Sequence, residues 1–528
     1  MPSAGRTPRC TPPSGPAATG SVSPTPPERV TRYAPSDDRK GFSVESTDLA
    51  AGSNDPQALA DDAPLFAAYL AALDRRSGVR PWMTPGHKGS TALTGATVDG
   101  DLALAGGVDT VKLRHGYLGQ AEARAAELWG ADFCRFSVGG STHGNQALAL
   151  GVARPGDEVV VSRTLHRSML LGLVLAGLRP VWVRPTIDAA TGVPAGVDPD
   201  AVREALRAHP AATAVFIGGE PSYVGTTSDV AGLADAAHDA GVPLVVDAAW
   251  AAHFGFHPDL PPHALAAGAD ALVTSAHKVL PAYSQAAIVL ARTERLDAAR
   301  LGRAMDATAT TSPSGQILAS IDACRALLAR DGEKLIGQML DSVAAARRRL
   351  AQVPGLQVLE GPGVDPAKLV VVLSGTGAHG VAVEEDLIAA DYPVEMADRD
   401  TVTALVTIAD APGDVEAFAD TLAAVVERHR GEPRQAHAAA SWTVEPETVL
   451  TPRDAFFADA ERVPVAEAVG RVSAELVAPY PPGIPVLAPG ERVSAEAVAA
   501  LTEAAADGIR IAYAADPTLR TLDVLRDR

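Results

Sequence analysis

Three cysteines in 528 residues (Cys10, Cys134 and Cys324), none in a CxxC pair, leave no basis for a disulfide framework or a thiolate metal site. So sparse and odd a set points to a reducing compartment. Basic residues are also few against the acids, 45 to 64, for a net charge of −19. That balance excludes nucleic acid and anionic membrane as main partners, since both demand a basic face. No apolar stretch approaches the roughly 18 residues of a membrane span, and no apolar h-region marks the N-terminus. These absences describe a cytoplasmic chain with neither membrane nor nucleic acid as partner. His253 and His257 in "HFGFH" have metal-like spacing, but no cysteine or carboxylate cluster accompanies them, so no metal is expected. No internal repeat is present.

What is there is an ordinary globular composition, 47% hydrophobic and 21% charged, in a chain long enough for two to four domains. Residues 1–60 are rich in Pro, Ser, Thr and Gly and too poor in large apolar side chains to offset their ordering entropy, which predicts a disordered tail. Regular structure is expected from the helix at 64–76. From about 120 to 292, apolar runs at 133–138, 158–163, 180–185, 213–218, 243–248, 271–277 and 285–291 alternate with Ala/Leu-rich helical patterns. Strands apolar throughout and separated by helices predict a mostly parallel sheet covered on both faces. A long helix at 314–352 leads to a second α/β unit with strands at 368–375 and 404–410 and helices near 380–390 and 414–429. A linker at 431–448 then enters a third region, 449–528.

Every unusual polar cluster falls at the carboxyl end of a predicted strand, where open α/β sheets bind ligands. "SVGGSTHGNQ" runs from strand through a Gly-Gly turn into a helix, so N–H groups and the hydroxyls of Ser141 and Thr142 would face an anion, unless they serve only as a helix cap. "VVDAAW" ends a strand with Asp247, and Ala249 projects to the same side while the chain stays extended. An acid and a methyl there suit a protonated ring nitrogen and a ring face; a plain helix cap is the alternative. "SRTLHRS" sets the flat ring of His166, with Ser168, after another strand. "TSAHK" closes a strand with Ser275, His277 and Lys278. One ligand needs the whole set, a pyridine aldehyde phosphate. The lysine forms an imine with the aldehyde and the acid keeps the pyridine protonated.

The same residues resemble the Orn/Lys/Arg decarboxylase family. The matching segments are "TPGHKG" (84–89), "GGSTHGNQA" (139–147), "LHRS" (165–168), "PSYVGTTSD" (221–229), "DAAWAAHFGFHP" (247–258), "SAHK" (275–278), "TSPSGQILASIDACR" (311–325), "DPAKLVV" (365–371) and "GRVSAELVAPYPPGIPVLAPGE" (470–491). They lie in family order across about 430 residues. The resemblance implies a fold-type-I, PLP-dependent transferase-like α/β fold. Its parts would be a tail (1–60), an N-terminal arm and large domain with a seven-stranded sheet (61–345), a small α/β domain (346–436) and a C-terminal α+β domain (437–528). It also implies pyridoxal 5'-phosphate as cofactor. Lys278 would bind the aldehyde, Asp247 would pair with the pyridine nitrogen, His166 would stack on the ring, and Ser141, Thr142, Ser275 and His277 would surround the phosphate. Thr311 and Ser312, in "TSPS", would reach a neighbouring subunit's site, making the protein a homodimer or larger. Lys278 or His277 would return the proton to Cα.

The implied activity is decarboxylation of lysine, ornithine or arginine, with a place in polyamine biosynthesis. A PLP aminotransferase or another lyase of this fold is the alternative, and a non-catalytic regulatory paralogue a third. Three departures bear on substrate rather than cofactor: Asp247-Ala248-Ala249-Trp250 where Asp-Glu-Ala-His is usual, Gly315 where the family has a Tyr, and "VDTVKLRHG" at 108–116. Glu491, ending "PGE", matches a family glutamate near the site and is expected to pair with a cationic substrate tail. A surface acid opening the next helix is the competing reading.

Overall fold

Seven short, largely apolar runs become one sheet: Phe133–Ser137 (β1), Glu158–Ser162 (β2), Arg179–Val183 (β3), Ala212–Ile217 (β4), Leu244–Asp247 (β5), Ala271–Ser275 (β6) and Ala287–Ala291 (β7). These are the seven strands expected from the sequence, in the order β1-β7-β6-β5-β4-β2-β3. The structure is a computed structural model and describes residues 59–526, apart from 80, 107, 110–115, 437–439 and 481–482. The predicted tail therefore lies almost wholly outside the described residues, as do Cys10 and most of the 108–116 segment.

All pairings in the sheet are parallel except those of β7, which runs antiparallel to both β1 and β6. Strands β5, β6 and β7 are buried at every position. Alternation still operates there, because both faces are covered: Leu244, Val246, Leu272, Ile288 and Leu290 join one apolar core, while Val245, Val273 and Val289 join another.

Helix Gly315–Leu350 carries the chain to a four-stranded antiparallel sheet of Gln357–Val358 (β8), Lys368–Val372 (β9), Met396–Ala397 (β10) and Thr401–Leu405 (β11), ordered β8-β9-β11-β10. The strand expected at 404–410 lies earlier. Thr401, Val402 and Thr403 pair with Val372, Val371 and Val370, whereas the Asp410 carboxylate accepts the Thr407 N–H at 2.6 Å and turns the chain. The last region is α+β. It has two two-stranded sheets, a helix at Ala495–Ala506 whose N-cap Ser494 accepts the Ala497 N–H, and a separate apolar core around Val477, Leu487, Leu501 and Val524. Among the described residues no helix is long and apolar enough to cross a membrane.

Candidate active site

Parallel pairing brings the carboxyl ends of β1, β2, β4, β5 and β6 to one edge of the sheet, and antiparallel β7 adds its start there, with Ala287 opposite both Ser137 and Ser275. A cavity of about 450 Å³ opens at this edge. Its wall includes Ser141, Thr142, His166, Asp247, Ala249, Ser275, His277 and Lys278, so eight residues singled out in the sequence meet in one place.

Helix Gly140–Val152 begins beside β7, with Gly140 at a φ of 67°, a left-handed conformation that a side chain would strain. The Gly140 N–H donates to Gln285 O at 2.8 Å, leaving those of Ser141 and Thr142 without helical partners. The Ser141 and Ser275 hydroxyls meet at 2.7 Å, tying the helix start to the end of β6. N–H groups, two hydroxyls and a helix N-terminus together make an anion cradle.

Asp247 is buried at the end of β5 and is no mere helix cap. One carboxylate oxygen accepts from Asn145 Nδ2 at 2.7 Å and the other from the Ala249 N–H at 3.2 Å. Asn145 also donates to Ser168 Oγ at 2.9 Å, and the His166 Nδ1 lies 2.8 Å from that hydroxyl. His166 Nδ1 accepts the Ser168 N–H as well, which places the ring proton on Nε2. Burial lowers the His166 pKa, so the ring stays neutral and flat against whatever occupies the cavity.

His277 donates from Nδ1 to the Ala286 carbonyl at 2.8 Å. Burial lowers its pKa too, leaving a bare Nε2 lone pair able to accept a proton. Burial pushes the Lys278 amine down to about 8, against the opposing pull of Asp247 and Glu395. Its Nζ stands 3.5 Å from the centroid of the Trp250 ring. An amine with that pKa supplies a nucleophilic fraction near neutral pH.

The cavity has further walls that the sequence did not disclose. Tyr223, Gln285, Glu395, Met396 and Tyr480 line it, from the β4–β5 connection, the start of β7, the small sheet and the C-terminal region. Burial and the Asp247 charge raise the Tyr223 hydroxyl well above its ordinary pKa, so it remains a donor. Tyr223 sits inside the quoted "PSYVGTTSD", which was its only signal. Glu395 had none, lying in "YPVEMAD" between two short strands of a different sheet.

Glu491 corrects the expectation made for it. Its carboxylate is buried and held by Arg163 in two bonds, Nη1 to Oε1 at 2.6 Å and Nη2 to Oε2 at 2.9 Å, and it also accepts the Ala488 N–H. It does not line the cavity, and it does not open a surface helix, because Ser494 performs the capping. Its charge is neutralised by a buried guanidinium away from the cavity wall, so it is not placed to meet a substrate cation. Thr311 and Ser312 are exposed and lie apart from Lys278; Ser312 borders a neighbouring cavity of about 470 Å³ that shares Gly139 and Gln285 with the first. His253 is paired with Asp365 at 3.3 Å.

The donor set fits pyridoxal 5'-phosphate: an anion cradle, a buried carboxylate oriented by Asn145, a neutral imidazole and a methyl to flank a ring, and an amine of lowered pKa. The Orn/Lys/Arg decarboxylase major-domain model matches residues 63–397, and the C-terminal-domain model of the same family matches 435–507. An arginine decarboxylase of Halalkalibacterium halodurans is 31% identical over 485 residues, spanning 88% of this chain and 98% of that protein. One from Bacillus subtilis is 31% identical across 80% of this chain and 88% of its own length. Among solved structures, lysine decarboxylase A of Pseudomonas aeruginosa superposes with a TM-score of 0.74 at 20% identity, covering 89% of this chain and 81% of that one. The chain belongs to the Orn/Lys/Arg decarboxylase family, fold-type-I enzymes that use pyridoxal phosphate to decarboxylate amino acids.

Proposed function

We propose that this enzyme decarboxylates arginine, releasing CO₂ and agmatine. The observation that carries the reading is Glu395. With Asp247 committed to Asn145 and the Ala249 N–H, Glu395 is the carboxylate on the cavity wall whose side chain takes no hydrogen bond from the described residues. It enters from the small sheet and lies near enough to Lys278 to raise that amine's pKa. A guanidinium meets a carboxylate through two parallel bonds, a better match than a single ammonium. Relatives 30–31% identical and named as arginine decarboxylases support the same substrate.

The cofactor supplies an aldehyde for Lys278 and an electron sink for the bond to the carboxylate. In this reading Ser141, Thr142 and Ser275 hold the phosphate with His277 beside them, Asp247 keeps the pyridine nitrogen protonated, and His166 and Ala249 flank the ring. Glu395 then anchors the far end of the substrate, and Tyr223 and Tyr480 wall the space between. The His277 Nε2, a bare lone pair, takes a proton from solvent and passes it to Cα. Thr311 and Ser312, exposed on this chain, complete the site of a second copy, so sedimentation should show a dimer or larger.

The test is CO₂ release from arginine, lysine and ornithine. Arginine is expected to show the highest kcat/KM, and Glu395→Gln should raise its KM by roughly 10- to 100-fold, the scale of a charged hydrogen bond. A preference for lysine or ornithine, or an unchanged KM in Glu395→Gln, would overturn the assignment.

A further inference from the structure

The turn that leads into β7 holds a strained side chain on the cavity wall. The Ala286 N–H donates to the Tyr283 carbonyl at 3.0 Å, closing a four-residue turn, and Gln285 takes its third position at a φ of 74°. That position suits Gly or Asn, because other side chains are strained by a positive φ. Five non-glycine residues have a positive φ among the described residues, namely Lys88, Gln285, Asp391, Tyr513 and Leu519. Of these, Gln285 is the one that lines the cavity holding Lys278. Outliers of this kind cluster at functional sites, where what the residue does offsets the local strain.

The turn's backbone contacts do not call for a glutamine. The Gln285 carbonyl accepts the Gly140 N–H at 2.8 Å, and the Ala286 carbonyl accepts from His277 Nδ1 at 2.8 Å. Gly or Asn at 285 would supply the same main-chain groups without the strain. The Gln285 side chain is exposed and makes no hydrogen bond with the described residues. It starts beside the anion cradle. The Gln285 Cα lies 4.0 Å from the point where a Cβ on Gly140 would stand, and Ser141 and Thr142 follow Gly140 directly. Among the described residues no arginine lines this cavity, and Lys278 is its lysine. With Lys278 committed to an imine, an anion in the cradle is held by neutral donors, so each charge-assisted hydrogen bond counts.

We propose that Gln285 is a further cofactor-binding residue, whose side-chain amide donates from Nε2 to the phosphate beside Ser141 and Thr142. The amide is a neutral donor on a two-methylene arm, which carries it from the turn toward the helix start; an asparagine amide stops one carbon short. The positive φ is retained with a side chain because the side chain has a ligand. This rests on Ser141 and Thr142 forming the phosphate site.

The test compares two forms of the cofactor. Cofactor-free full-length protein is titrated with pyridoxal 5'-phosphate and, separately, with pyridoxal, which lacks the phosphate, and the imine absorbance gives a Kd for each. Gln285→Gly and Gln285→Asn both suit the turn, so the Tm of the cofactor-free protein should be unchanged or slightly raised. Each variant should raise the Kd for pyridoxal 5'-phosphate by roughly tenfold or more, the scale of a hydrogen bond to a charged group, and that for pyridoxal by less than about twofold. Thr142→Val is the reference for the cradle and should show the same split. Unchanged pyridoxal 5'-phosphate affinity in both Gln285 variants, with the split present in Thr142→Val, would overturn this proposal alone. No split in any of the three variants would overturn the phosphate site with it. Equal losses for the two cofactor forms in the Gln285 variants, or a lowered Tm with affinity intact, would make Gln285 a residue of the turn and likewise overturn the proposal.

Discussion

At the scale of single residues the site is an arrangement of orientations more than of charges. Asp247 keeps its direction because Asn145, from the first helix, donates to one oxygen and its own loop donates to the other. Asp247→Asn preserves shape but removes the charge that, in the proposed reading, faces the pyridine nitrogen. The expected result is a kcat lowered by about 100-fold or more, several kcal/mol of barrier, with little change in Tm. A near-normal kcat would reduce Asp247 to a structural role. Asn145→Ala acts one step back. It strips a hydrogen bond from a buried carboxylate and from Ser168, so cofactor affinity should fall by roughly tenfold, readable as a raised Kd for pyridoxal 5'-phosphate. Asn145 stood in the quoted "GGSTHGNQA" without a role, because nothing in a helical repeat says which turn will face a strand three crossovers away.

At the scale of elements, the strand ends and the turns after them carry the chemistry, and one of those turns carries a buried acid. Glu220 follows β4 and accepts the Ser228 N–H with both oxygens, yet burial raises its carboxyl to about 8. The folded protein therefore holds a proton there that the unfolded chain releases near its ordinary value. Between those two pH values the native state binds more protons, so this group makes stability fall as pH rises, and the loss is complete above about 8. Glu220→Gln removes that slope. Between pH 6 and 8.5 the wild-type Tm should drop by roughly 2–4 °C more than that of the variant. Parallel Tm curves would mean that the carboxyl is ionised in the folded state.

At the scale of the whole molecule, the large sheet and the C-terminal region are joined by a buried ion pair. Arg163, one residue past β2, grips Glu491 with two bonds and lies 4.7 Å over the Trp182 ring. Removing one partner of such a pair strands the other charge away from water, which costs about 3–5 kcal/mol. Glu491→Gln should therefore lower Tm and leave the KM for the amino acid unchanged in the folded fraction. A raised KM with normal stability would return Glu491 to the substrate. The C-terminal region thus reaches the site through Tyr480 on the cavity wall, and Glu491 serves to hold that region in place.

The seven strands of the large sheet and the residues at their ends were legible because both depend on local rules. Apolar runs need burial on two faces, and polar groups at the end of such runs need a ligand or a partner. Lys278, Asp247, His166, Ser141 and Ser275 all follow from that reasoning, and parallel pairing brings them together without further information. The small-sheet strand at Thr401–Leu405 was displaced because its apolar run continues into a turn, and only pairing with Lys368–Val372 marks where it stops. Glu395, Lys368 and the fate of Glu491 were decided by tertiary structure alone. A charged residue far along the chain meets a cavity, an indole or an arginine according to which domain packs where, and the intervening chain, 328 residues between Arg163 and Glu491, carries no local signal of that choice.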